Sequence, residues 1–260
     1  MKQLSGLAGI LPLVKGAVPN WEELVDQASA RQRAVLITFV NPLSVRTAKL
    51  NQAHIKHLHD FDYVFADGIL MAKVCSLVEG REVTRISFDG NSIATDVLMW
   101  AGKTGRKVAF VGGAEGIAAE AGRILQGVFD LKIVSTRSGY FDGREQRGEY
   151  CRKLVASDQP ELVVCGMGAP FQEEFLLDLR ASGYNALAFT CGGYFDQVVE
   201  SKSNEYYPRW VNRWNIRALY RLYKEPARLW RRYTVQYLPF LAQALILIII
   251  KPFSFVRPKR

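Results

Sequence analysis

Leu162-Val163-Val164-Cys165-Gly166-Met167-Gly168-Ala169-Pro170-Phe171-Gln172-Glu173 is the stretch from which the fold is read. The run from Leu162 to Gly166 is apolar without polar alternation, which suits a strand covered on both faces. Gly166 and Gly168 allow a tight turn. Pro170 fits the first turn of a helix, where its missing N–H is no loss, and Glu173 suits the positive end of the helix dipole. Strand, glycine turn and helix make the repeating half of a parallel α/β sheet.

The alternation continues on both sides. Candidate strands are Val35–Val40, Tyr63–Ala66, Val108–Val111, Leu131–Val134, Leu162–Gly166 and Ala186–Thr190. Helix-length segments lie between them: Thr47–His59, Gly68–Val78, Gly90–Ala101, Glu115–Phe129, Arg144–Ala156 and Phe171–Ala181. An earlier helix starts after Asn20, with Glu23 at capping-box spacing. The expected fold class is α/β, a mainly parallel, Rossmann-like sheet with helices on both faces. In such sheets ligands bind beyond the carboxyl ends of the strands. The N-terminal run Leu4–Val14 is broken by Gly6, Gly9 and Pro12 and lacks a clean cleavage site, so it is read as part of the working chain.

Charge divides the chain in two. From Glu200 to Arg260 there are thirteen Lys or Arg against three Glu, a net of +10, while the whole chain of 260 residues carries +9. Residues 1–199 are therefore read as a near-neutral α/β catalytic body, and residues 200–260 as a basic, apolar appendage. Arg209, Arg213, Arg217, Arg221 and Lys224 form a stripe at helical spacing. Pro226 should begin a second helix, and Pro239 should kink or end it. Leu241–Ile250 is almost wholly apolar but shorter than the ~20 residues of a clean transmembrane span. A basic and greasy tail of this kind suits an anionic membrane surface, with the segment lying at the interface or shallowly inserted.

Polar and glycine residues mark the strand ends. Thr38 and Asn41 could hold sugar hydroxyls, or Asn41-Pro42 could simply mark a turn. Asp67, after an apolar strand and before Gly68, suits a general base in a half-dry cleft, or a helix cap. Gly112 and Gly113, and then Gly168 with Gln172, would let backbone N–H groups approach a diphosphate at a helix N-terminus. Cys191-Gly192-Gly193-Tyr194-Phe195-Asp196 closes the last strand in the same way. The dinucleotide pattern G-x-G-x-x-G and the P-loop pattern are both absent. Asp60-Phe61-Asp62 reads as a solvated connection, and His54, His57 and His59 do not share one helix face, so no metal site is expected. Cys75, Cys151, Cys165 and Cys191 form no C-x-x-C pair; Cys165 and Cys191 read as core thiols.

The ordered set of these elements resembles the WecG/TagA/CpsF glycosyltransferases, from about Val18 to Tyr237. It comprises Asn41-Pro42, Ala66-Asp67-Gly68, Val108–Gly113, Gly139-Tyr140-Phe141, Met167–Pro170 with Gln172-Glu173, Gly192–Asp196, and Leu219–Pro226 with Arg228 and Arg231. The resemblance implies a metal-independent, inverting transfer of a hexose or N-acetylhexosamine-type sugar from a UDP-sugar to an undecaprenyl-diphosphate-linked sugar. The product would serve exopolysaccharide, capsule or wall polymer synthesis at the cytoplasmic face of the bacterial inner membrane. It implies Asp67 as the base that deprotonates the acceptor. Asn41, Arg85, Gln172 and Asp196 would line the donor and acceptor pocket, with Tyr140 among the matched positions. Arg221, Arg228 and Arg231 would reach the diphosphates from an appendage that closes over the site. Phe39, Leu43 and Phe88 depart from the family pattern around the sugar.

UDP-sugar is thus expected as a substrate, with no separate cofactor. A homo-oligomer stays open. Three other readings compete: a membrane-associated nucleotide-binding scaffold without catalysis, an NAD-dependent enzyme using Gly112-Gly113, and a nucleic-acid binder using the arginines. The near-neutral body and the apolar run beside the arginines oppose the last, so no nucleic acid is expected.

Overall fold

The computed structural model describes residues 6–254 apart from 205, 207–210, 212, 215–216 and 225. Six strands among these residues are β1 (Val35–Val40), β2 (Tyr63–Ala66), β3 (Lys107–Gly112), β4 (Lys132–Arg137), β5 (Leu162–Gly166) and β6 (Leu187–Thr190). They form one parallel sheet in the order β2-β1-β6-β5-β3-β4. The chain winds outward from β1 to β2, crosses to β3 and β4, then returns through β5 to β6. The carboxyl ends of β1, β6, β5 and β3 thus lie side by side in the middle of the sheet.

Helices cover both faces. One face carries α1 (Leu7–Ile10), α3 (Pro42–Leu50), α4 (Ala53–His59), α5 (Ile69–Glu79), α8 (Arg144–Lys153) and α9 (Phe171–Ala181). The other carries α2 (Trp21–Arg31), α6 (Ile93–Lys103), α7 (Ile117–Phe129) and α10 (Tyr194–Ser201). Successive residues of a central strand feed opposite cores: Ala109, Val111, Val163 and Cys165 one, Val108, Phe110, Leu162 and Val164 the other. That two-sided burial is why these strands read as unbroken apolar runs. All four cysteines are buried and unpaired, as read for Cys165 and Cys191. Burial pushes the thiols of Cys75 and Cys151 up to about 12.

Several boundaries differ from the sequence reading. The helix expected over Thr47–His59 is two helices, α3 and α4, because Asn51 leaves the helical region and its side chain accepts the Ala53 N–H at 3.0 Å. The fourth strand runs on to Arg137; it is an edge strand, so Ser135 and Thr136 are tolerated. After α11 (Arg217–Lys224) and α12 (Pro226–Arg231) a π-helical turn leads to α13 (Leu238–Ser254); the helix begun at Pro226 thus ends before Pro239, as expected, and Pro239 lies in the first turn of the next.

The C-terminal helix is joined to the body. Phe240 and Ala244 of α13 are 0% and 4% exposed in the core of the first face, and Leu247 packs against it. The Gln243 side chain accepts the Leu7 N–H at 2.7 Å, tying α13 to α1. Leu241, Leu245, Ile246 and Ile249 on its other sides are exposed. The helical run 229–250, from α12 through the π-helical turn into α13, contains an 18-residue window of mean hydropathy 1.8 and is long and apolar enough to cross a membrane by length and composition alone.

Candidate active site

Each site residue is placed by the end of a strand. β1 stops at Val40, and Asn41 caps α3: its Oδ1 accepts the Leu43 N–H at 2.9 Å, while the Ser44 hydroxyl accepts the Asn41 N–H at 3.0 Å. The turn reading and the site reading of Asn41 therefore hold together, since the residue also lines the cleft. β2 stops at Ala66, and the Asp67 N–H donates to the Val40 carbonyl at 2.8 Å. The N-cap of α5 is Gly68, at φ 89°, so Asp67 is not the cap. Its carboxylate instead faces the guanidinium of Arg85 at 3.7 Å.

Arg85 is held by two further groups. It hydrogen-bonds Ser87 and Asp89, and the Ser87 hydroxyl donates to Asp89 at 2.6 Å. The loop that carries them lies against β2 through an Ile86 N–H to Ala66 carbonyl bond of 3.0 Å. Phe88, set between Phe39, Phe189 and Tyr194, fixes this loop by aromatic packing.

A second layer lies behind the cleft. Gln172 is held at both ends of its amide: the Gly192 N–H donates to its oxygen at 3.1 Å, and its nitrogen donates to Glu173 at 3.1 Å. Glu173 is 1% exposed and accepts the Thr38 hydroxyl at 2.9 Å; Thr38 in turn meets the Thr190 hydroxyl at 2.9 Å. Burial pushes the Glu173 carboxyl above the ordinary range, against the opposing pull of its bonds to Gln172 and Thr38. Glu173 is therefore turned inward instead of simply complementing a helix dipole.

The cleft has two compartments. The first, of about 440 Å³, holds Asp67, Arg85, Ser87, Asp89, Thr190 and Tyr206. The second, of about 1000 Å³, holds Gly113, Ala114, Tyr140, Phe141, Arg144, Arg147, Met167, Gly168 and Phe171. Phe39, Asn41, Gln172, Gly192, Gly193 and Asp196 line both, and so form the wall they share. A long ligand with a reactive junction can lie across that wall, with its reacting atoms beside Asp67.

The structure thus brings together Asp67, Asn41, Arg85, Gln172 and Asp196, and places Gly113, Gly168 and Tyr140 in the larger compartment. Two residues expected there lie elsewhere. Thr38 is fully buried and lines neither compartment, because it points into the sheet towards Glu173. Gly112 lines neither: a Cβ on it would stand 2.3 Å from the Gly166 carbonyl oxygen, so its glycine serves close strand approach. The Gly113 N–H already donates to the Gly166 carbonyl at 3.0 Å and does not point at a ligand.

Arg231 is exposed and lines neither compartment; the side chains of Arg221 and Arg228 lie outside the described residues. The appendage does reach the cleft through Tyr206, whose ring meets Tyr220 of α11 edge-on at 6.4 Å.

Sequence reasoning missed Ser87, Asp89, Arg144, Arg147 and Thr190. Arg147 is 7% exposed and binds Asp178 at 2.7 Å and Glu174 at 3.2 Å. Helix spacing of Glu174 and Asp178 was the available signal. Asp60-Phe61-Asp62 lies at the opposite end of β2, where Asp62 accepts the Leu36 N–H at 3.0 Å and pairs with Arg33 and Arg180. It is a structural anchor, not a solvated loop. No group of three or more His, Cys, Asp or Glu among the described residues could hold a metal ion.

The chain is similar to known proteins. The family described as glycosyl transferase WecG/TagA/CpsF matches residues 13–251. A UDP-Gal:alpha-D-GlcNAc-diphosphoundecaprenol beta-1,4-galactosyltransferase of Shigella boydii is 30% identical over 222 residues, covering 84% of this chain and 89% of that protein. Two solved structures of the domain of unknown function 1792, one described as a distinct glycosyltransferase fold, are 11% and 10% identical. Each covers 75% of this chain and 85% of its own, with TM-scores of 0.43 and 0.42.

Proposed function

The chain belongs to the WecG/TagA/CpsF glycosyl transferase family, and from that premise we propose that it moves a hexose or N-acetylhexosamine-type sugar from a UDP-sugar to a hydroxyl of an undecaprenyl-diphosphate-linked sugar. The observation that carries this reading is the Asp67 carboxylate, set in the smaller compartment beside a wall shared with a chamber large enough for a nucleoside-diphosphate sugar. The Shigella boydii relative acts between substrates of these two classes.

The chemistry follows from the placement. In an inverting transfer the acceptor hydroxyl attacks the anomeric carbon from the face opposite the leaving diphosphate, and its proton passes to a base. Asp67 takes that proton. Arg85 beside it keeps the carboxylate oriented. The departing diphosphate gains negative charge; Arg144 at the rim of the larger chamber, with the helix starts after Gly116 and Pro170, is suited to meet it. We take the reaction as metal-independent, with arginine in the role a cation would fill. Gln172 and Asp196, on the shared wall, contact the transferred sugar.

The setting is proposed as the cytoplasmic face of the inner membrane. Phe240, Gln243 and Ala244 hold one side of α13 on the body, which supports a helix lying on the bilayer through Leu241, Leu245 and Ile249 over one that spans it. The arginine-rich helices α11 and α12 precede it and would close over the cleft once the anionic surface is met.

A panel of UDP-sugars offered with undecaprenyl-diphosphate sugars, read by mass on the lipid product, tests the proposal. Addition of one hexose or N-acetylhexosamine mass is expected. UDP binding without any product across the panel would favour a nucleotide-binding scaffold instead.

A further inference from the structure

We propose that a groove along α5, joined to the compartment of Asp67 through Arg85, seats the first isoprene units of a polyprenyl diphosphate, with Lys73 and Arg85 flanking its diphosphate. The proposal rests on the reading that a lipid-linked sugar is the acceptor, and names the part of the site that takes its lipid.

Ile69, Ala72, Lys73, Ser76 and Leu77 recur at the spacing of one helix face. They form one wall of a groove of about 400 Å³, with Val83 and Arg85 opposite. The opposite wall is pinned by Ser76, whose hydroxyl donates to the Ala72 carbonyl at 3.1 Å and accepts the Val83 N–H at 2.9 Å. The groove is thus built into the fold. Its lining is apolar apart from Ser76, Lys73 and Arg85, and its size falls in the range of small-ligand sites. Leu77 is 67% exposed and Leu70, on the same helix, 42%, apolar surface left in water.

The chemistry of the groove decides the occupant. Arg85 lines both this groove and the compartment of Asp67. The groove therefore adjoins the carboxylate through a guanidinium, and its own lining combines two cations, Arg85 and Lys73, with the hydrocarbon of Ile69, Ala72, Leu77 and Val83. A lipid-linked sugar carries the matching parts: a hydroxyl, a diphosphate and a polyprenyl chain. Lys73 is exposed and has no carboxylate within ion-pair distance among the described residues, so its charge is available to an anion. α13, with its exposed apolar side, packs against the same helix α5, so a lipid chain leaving the groove has a bilayer contact at hand.

Calorimetric titration of the full chain with farnesyl diphosphate and with inorganic diphosphate tests this without requiring glycosyl transfer. Farnesyl diphosphate should bind at least about tenfold more tightly than diphosphate. Leu77→Asp should remove most of that advantage and leave diphosphate binding unchanged. Lys73→Glu should weaken both ligands. Val128→Asp, on the exposed side of α7, should change neither. Leu77, Lys73 and Val128 are all exposed, and unchanged melting temperatures will confirm folding. Equal affinity for the two ligands in the parent overturns the proposal, as does a Leu77→Asp variant that keeps the farnesyl advantage or a Leu245→Asp variant on α13 that alone abolishes it. Lipid-product formation with no farnesyl preference would remove the groove and leave the transfer reaction. Farnesyl binding with no transfer would do the reverse.

Discussion

The Arg85 guanidinium stands 3.7 Å from the Asp67 carboxylate. That spacing is an ion pair rather than a hydrogen bond. Arg85 makes its close bonds to Ser87 and Asp89 instead, so its position is fixed from behind. A positive charge is thereby held beside Asp67 without locking the carboxylate into a tight fork. The Asp67 side chain is 37% exposed to the cleft, where an incoming hydroxyl can reach it.

Asp67→Asn keeps the size and polarity of the side chain and removes its basicity. Turnover should fall by about 10²–10⁴, while UDP affinity stays within about threefold, since UDP is assigned to the other compartment. Single-turnover rates with parallel UDP calorimetry check this. A variant as fast as the parent removes Asp67 from the role of base.

Glu173 holds Gln172 and Thr38 from inside the sheet. Glu173→Ala removes the acceptor of both the Thr38 hydroxyl and the Gln172 amide nitrogen and should cost about 2 kcal/mol of stability. It should also raise the donor KM more than it lowers kcat, because Gln172 loses its orientation. Glu173→Gln, which can still accept both bonds, should restore donor KM. Denaturant titration together with steady-state kinetics separates the two effects, and equal donor KM in parent and Glu173→Ala refutes the positioning role.

Phe240 is fully buried although it belongs to the C-terminal helix. Phe240→Ala should cost about 3–5 kcal/mol. Deleting everything after Val199 therefore uncovers core as well as removing basic charge, and such a truncation should be poorly soluble. Ending the chain at 254 should be tolerated. Thermal melts of the three variants decide; an unchanged melt for Phe240→Ala would show that α13 does not dock.

His54 gives an acid-sensitive limb. Burial first, and the neighbouring His57 second, lower its pKa from 6.5 to about 4, and neither ring nitrogen has a hydrogen-bond partner among the described residues. Above pH 6.5 both folded and unfolded states are neutral, and its contribution to stability is complete. As pH falls the unfolded chain takes the proton first, so stability is lost between about pH 6.5 and about pH 4. Between pH 7.5 and pH 5 the parent should lose about 2 kcal/mol more than His54→Leu. Denaturant midpoints at the two pH values measure this, and parallel losses in both proteins would dismiss His54.

Much of this was legible beforehand. The central strands announced themselves because burial on both faces leaves them no polar residue, and the glycines after them marked turns that only glycine accommodates, such as Gly68 at φ 89°. Asp67 stood out as a carboxylate at the end of such a strand. Thr38 and Glu173 were misread because a hydroxyl or carboxylate at a strand end or helix start looks the same whether it faces the cleft or the sheet. Ser87 and Asp89 were missed because they lie in a connection, with no periodicity to mark them, and Arg144 because a charged residue at a helix start looks the same whether or not it faces a cleft.

The sequence alone determined the parallel α/β body, the basic and apolar character of the tail, and the family to which the chain belongs. The body and tail follow from local periodicity and composition, and the family from an ordered set of motifs, all of which the chain carries whatever its partners. Only the tertiary structure decided which polar side chains face the ligand, that Gly112 serves strand contact, and that Phe240 closes the core from the far end of the chain. These depend on which segments, distant in sequence, meet across the sheet, and no local pattern encodes that meeting.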